Sequence, residues 1–157
     1  MICPESYECL FHCLSVPCLT DLQHLTIKPM EEDSNSRMTE KNWRMICERL
    51  KADVCPKLES IHIPGNRIGY QGVEALVELY QDGHLKACKE LDLSGNGIGD
   101  KGAIALAHLF DLPHVCKELR LLNMANNRIG SKGWHMFINH FINTSHLQLT
   151  ELDLSCK

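Results

Sequence analysis

One short phrase, Asn-x-Ile-Gly-x-x-Gly, occurs three times in this chain: at Asn66–Gly72, Asn96–Gly102 and Asn127–Gly133, with its asparagines 30 and 31 residues apart. Self-similarity at that period is severely constraining, because a unit of that size cannot bury its own apolar face and must stack on copies of itself. Ahead of each phrase lies a run with period-two alternation: Leu58, Ile61, Ile63; then Leu91 and Leu93, with Cys88 where a leucine is expected; then Leu119, Leu122, Met124. That alternation predicts a short strand with one buried side. After each phrase the apolar spacing turns helical, at Val73, Ala75, Leu76, Tyr80, then Ala103, Ala105, Leu106, Phe110, then Trp134, Met136, Phe137, Phe141.

Weaker copies extend the pattern at both ends. Leu22, Leu25 and Ile27 make an earlier strand, and Leu149, Leu152 and Leu154 a later one. Counting back by thirty finds helical positions at Trp43, Met45, Ile46, Leu50, and before them at Tyr7, Cys9, Leu10, Leu14, with Pro4 placed to start that helix. The expected fold is α/β: a solenoid, or horseshoe, with an inner parallel β-sheet and outer α-helices, about four to five repeats of 30–31 residues. Residues 1–157 are expected to form one repeat region, a fragment of a longer array because both ends fall inside a repeat. The six surplus residues fall in an expanded polar loop over Lys28–Lys41, which puts Met30 at the asparagine position of the first repeat and Lys157 at that of the last.

The quoted phrases resemble the ribonuclease-inhibitor-like class of leucine-rich repeats over about Leu22 to Leu154. That class occurs in ribonuclease inhibitors, in Ran GTPase-activating proteins and in the sensor regions of NOD-like receptors. The resemblance implies that Asn66, Asn96 and Asn127 form a buried ladder serving backbone groups of successive turns, so truncating Asn96 should leave such groups unpaired. It also implies a non-enzymatic intracellular protein-interaction module whose concave sheet face binds a protein, as in the sensor or autoinhibitory part of a NOD-like receptor in innate immunity. The alternatives it implies are a GTPase activator of the Ran type and an inhibitor of the ribonuclease-inhibitor type. The aromatic helix after Gly133-Trp134 departs from an Ala/Leu-rich repeat in the receptor direction.

Composition excludes several classes. A formal charge of −4, from 16 basic against 20 acidic residues, disfavours nucleic-acid binding. No apolar run approaches the roughly 20 residues that cross a bilayer, and no signal peptide is evident, so the cytoplasm is the expected compartment. Nine cysteines, an odd number at irregular spacing, read as reduced core thiols rather than a disulfide framework.

The sheet positions that point away from the helices form three columns. The first is His24, Ser60, Glu90, Leu121, Glu151; the second Thr26, His62, Asp92, Asn123, Asp153; the third Lys28, Pro64, Ser94, Ala125, Ser155. From these, His62, Glu90, Asp92, Leu121, Asn123, Glu151 and Asp153 are expected to contact a protein partner with a basic surface, Leu121 being an exposed anchor among carboxylates. His62 and Asp92 on adjacent strands are expected to pair, and Ser60 or Ser94 beside them suggests a Ser–His–Asp set, rejected here because an open sheet offers no enclosing pocket. Gly97-x-Gly99-x-x-Gly102 spells a dinucleotide fingerprint, but the repeat explains its glycines. Cys9, His12 and Cys13 share one helix face and lack a fourth ligand, so core packing is preferred to zinc. Arg67 and Arg128 occupy one loop position two repeats apart and read as solvated. No catalytic residue, cofactor or metal is expected.

Overall fold

The computed structural model of the chain describes residues 19–29, 37–52, 54–112, 114–145 and 147–156. The helix expected around Tyr7–Leu14, the Cys9/His12/Cys13 group, Met30, the Glu31–Ser36 stretch and Lys157 lie outside them.

Strands and helices alternate: β1 (His24–Thr26), α1 (Glu40–Leu50), β2 (Ser60–His62), α2 (Gly69–Gln81), β3 (Glu90–Asp92), α3 (Gly99–Phe110), β4 (Leu121–Asn123), α4 (Ser131–Ile142) and β5 (Glu151–Asp153). The five strands form one parallel sheet in chain order, and each helix packs on the next along one side of it. Strands sit about 4.8 Å apart while packed helices need about 8–10 Å, so the sheet must lie on the inside of the curve.

Each of the first four strands sinks its middle residue: Leu25, Ile61, Leu91 and Leu122 are buried with Ile27, Ile63, Leu93 and Met124 just beyond, while Leu152 of β5 is half-buried. On the helices the buried rows include Trp43, Ile46, Leu50, then Val73, Leu76, Leu79, Tyr80, then Ala103, Leu106, Phe110. Met45 and Ala105 are only half-buried, and Cys47 and Ala107 take the deep positions instead. α4 buries only Gly133 and Phe137 fully. Trp134, Met136 and Phe141 are half-buried, because no described helix packs beyond α4.

The asparagines lie in the turn between strand and helix, all buried. Asn127 Nδ2 donates to Leu93 O and Met124 O, both at 2.9 Å, while its Oδ1 accepts from Asn96 N at 2.8 Å. Asn96 Nδ2 donates to Ile63 O at 2.8 Å and Leu93 O at 2.9 Å. Asn66 Nδ2 donates to Ile27 O at 2.9 Å and Ile63 O at 3.0 Å. In the first repeat the position expected for the ladder, Met30, lies outside the described residues. Met38 of that repeat, thirty residues before Ile68, is fully buried, and its N–H donates to Asn66 Oδ1 at 2.8 Å. The polar loop expected to reach Lys41 stops short of it, since Thr39 caps α1 in a reciprocal pair with Asn42 and Glu40 already opens the helix.

Gly102 and Gly133 are packing residues. A Cβ on Gly102 would lie 2.1 Å from Ile98 Cγ2, and one on Gly133 would lie 2.8 Å from the Asp100 backbone.

Candidate protein-docking face

Strand register builds the exposed sheet face. His24, Ser60, Glu90, Leu121 and Glu151 align in one row across the five strands, and Thr26, His62, Asp92, Asn123 and Asp153 in the next. Row membership does not mean equal exposure. Ser60 is only 3 % exposed and its Oγ lies 2.8 Å from His24 Nδ1. Leu121 is half-buried rather than exposed, and Ala125 of the third column is buried.

The second row has a local task. Asp92 Oδ1 accepts from Ser94 N at 2.9 Å, Asn123 Oδ1 from Ala125 N at 3.0 Å, and Asp153 Oδ1 from Ser155 N at 2.9 Å. Each side chain thus closes a turn on the backbone two residues on. The Ser155 N–H and hydroxyl hold the Asp153 carboxyl below its ordinary value. With Asp92 so engaged, the expected His62–Asp92 pair does not form; His62 Nε2 instead reaches diagonally to Glu90 Oε2 at 3.1 Å. Ser60 with His24, His62 with Glu90 and Asp92 with Ser94 make three separate pairs, so the described residues contain no Ser–His–Asp relay. The face grades from His24, Thr26 and Lys28 at one end to Glu90, Asp92, Glu151 and Asp153 towards the other. Glu90 is half-buried and Glu151 exposed.

The edge where strands hand over to helices has the opposite sign. Arg67 and Arg128 line a cavity of about 550 Å³ with Arg37, which counting back thirty from Arg67 would have found. The fourth member of that column is Gly97, around whose absent Cβ nothing lies within 4 Å.

A sequence profile described as the leucine-rich repeat matches residues 54–77 and 89–107. The fold is that of a leucine-rich-repeat solenoid. A structure titled leiomodin-1 actin-binding site 2 superposes with a TM-score of 0.73 at 15% identity, covering 94% of this chain and 78% of that one. The tropomodulin C-terminal domain of Caenorhabditis elegans gives 0.63 at 17% identity, covering 95% and 82%. At these identities the likeness concerns the fold. No curated protein sequence matches the chain.

Proposed function

We propose that this leucine-rich-repeat chain is a non-enzymatic protein-interaction module whose sheet face docks a partner with a basic surface. The observation that carries this is the row in which half-buried Leu121 lies between Glu90 and Glu151 in strand register. An apolar residue framed by carboxylates suits an apolar contact set among lysines and arginines, with charge steering the approach. A rigid ladder of short strands also presents the face with little ordering cost. On this reading the module serves as the sensor or autoinhibitory part of a NOD-like receptor.

The test is capture from cytosol with the wild-type chain and with Glu90→Lys/Glu151→Lys, which leaves the turn-closing Asp92 and Asp153 intact. The expected result is a partner with a basic contact surface whose affinity falls on the order of tenfold in the variant, mainly through association rate. A partner held equally by both chains would refute the sheet face as its site.

A second reading is favoured by the likeness to the leiomodin-1 structure, whose title names an actin-binding site. Here the module binds actin. Cosedimentation of the chain with actin filaments would support it, and a chain left wholly in the supernatant would end it.

A further inference from the structure

On the outer layer of the solenoid, away from the sheet face, two consecutive repeats bring together three metal-ligating side chains. His108 and Asp111 at the end of α3 meet His140 near the end of α4, with one donor atom from each within 4.8 Å of the others. His140 Nδ1 lies 2.8 Å from Asp111 Oδ2, and His108 Nδ1 lies 3.7 Å from the same oxygen. The two imidazole rings stand edge to face, with centroids 4.8 Å apart.

The equivalent place between α1 and α2 shows what this cluster is not. There Lys51 lies 3.1 Å from Glu48 and 2.8 Å from Glu78. One cation between two carboxylates is complete in itself. Between α3 and α4 the arrangement is inverted: one carboxylate stands between two imidazoles, and once the His140 Nδ1 proton moves to Nε2 the set presents two nitrogen lone pairs and a negative oxygen to the space between them. With both rings neutral, the form in which they ligate metals, the set carries one negative charge. His140 already bonds Asp111, but His108 is too far from that carboxylate for a hydrogen bond.

We propose that His108, Asp111 and His140 form a site for a divalent transition metal of the zinc class, bridging α3 and α4. Zinc bonds to imidazole nitrogen and carboxylate oxygen are about 2.0–2.1 Å long, so tetrahedral ligands stand roughly 3.3 Å apart. That lies between the 2.8 and 3.7 Å already present. The His108 side chain is 60% exposed and free to turn inward. Two imidazoles select this class over calcium or magnesium, and the fourth position is left to water. The sequence reading missed the site because its third ligand comes from the next repeat, 29 residues after Asp111.

The test uses the full chain, stripped by a chelator, kept reduced, and titrated with cobalt(II) or zinc(II) alone. The expected result is one equivalent bound, a tetrahedral cobalt spectrum without a sulfur-to-metal charge-transfer band, displacement by zinc, and a Tm raised by several degrees at saturating zinc. His108→Gln, at an exposed position, should leave the metal-free Tm unchanged and weaken binding by tenfold or more; His140→Gln should weaken it similarly. Unchanged affinity in His108→Gln, or a charge-transfer band showing thiolate ligation, would overturn the proposal.

Discussion

Truncating Asn127 to alanine should destabilise this protein more than truncating Asn96, although the two residues are equivalent in the repeat and equally buried. The reason lies in which carbonyls have a second donor. Asn96 Nδ2 serves Ile63 O, which Asn66 Nδ2 also serves, and Leu93 O, which Asn127 Nδ2 also serves. Its third acceptor, Ser94 O, also accepts from Gly65 N at 2.7 Å. Asn96 Oδ1 has no hydrogen-bond partner among the described residues. Asn96→Ala therefore removes bonds without stranding a buried group, at a net cost of about 0.5–1.5 kcal/mol for each bond lost. Asn127→Ala strands three: Met124 O, and the Asn96 and Ile98 N–H groups that both donate to Asn127 Oδ1.

Three stranded groups at about 1–3 kcal/mol each outweigh three lost bonds at about 0.5–1.5 kcal/mol each, so Asn127→Ala should exceed Asn96→Ala by roughly 1.5–4.5 kcal/mol. With a urea slope of about 2 kcal/mol/M, the midpoint should fall by roughly 1–2 M more in Asn127→Ala, at unchanged slope. Hydrogen exchange gives a local check, since the Asn96 amide should lose protection in Asn127→Ala. The reasoning is refuted if Asn96→Ala is the more damaging, or if that amide stays protected. The expectation from sequence that truncating Asn96 leaves buried turn groups unpaired is thereby revised: a residue in the middle of a ladder has neighbours that cover for it.

Three further outcomes are expected. Gly133→Ala should lower stability by about 1–3 kcal/mol in urea titration, because its Cβ would meet the backbone of Asp100 at 2.8 Å; Gly97→Asn, with open space and a φ of 67° that asparagine tolerates, should cost under about 1 kcal/mol. Among the described cysteines, exposed Cys156 should alkylate first; Cys88, pushed up by burial to about 11, and Cys47 and Cys116, raised further by burial, should stay unlabelled until the chain unfolds, as peptide mass mapping would show. The Asp153 carboxyl, held down by Ser155, contributes stability that is present above its ordinary value of 3.8 and lost as pH falls through its lower folded value; carboxyl NMR titration should place its midpoint below 3.8, and a midpoint above that would contradict the turn bond.

The fold was legible because a period of 30 and an alternation of two are both long-range signals: they place each strand beside the next and give each side chain a face. They do not give depth. Ser60 and Glu90 share a row, yet the serine is short enough to lie buried beneath His24 while the glutamate reaches solvent. Leu121 points to the open face and is still half-covered. On α4 the apolar spacing matches earlier helices, but Trp134 and Phe141 stay half-buried, since depth there depends on a neighbour rather than on the helix's own sequence. Met38 illustrates the converse, a buried position found by counting thirty back from Ile68 rather than by matching the asparagine phrase.

The second row of the sheet face bears most on function. Asp92, Asn123 and Asp153 are among the docking residues expected from sequence because polar side chains on an open face look available. One oxygen of each already accepts from Ser94, Ala125 or Ser155, closing the turn after its strand, and the first two of those turns lead into α3 and α4. A partner contacting those oxygens would compete with a turn on which the next repeat is seated, and binding would be coupled to the stability of the array. The first row carries no such burden: among the described residues the Glu90 carboxylate meets the diagonal His62, and Glu151 stands exposed. On the proposed function, charge changes in the first row should alter affinity at constant stability, whereas changes in the second should alter both together. Measuring binding and urea midpoints for Glu151→Lys beside Asp153→Ala separates the two. If Glu151→Lys lowers the midpoint as much as Asp153→Ala does, the division of labour between the rows is wrong.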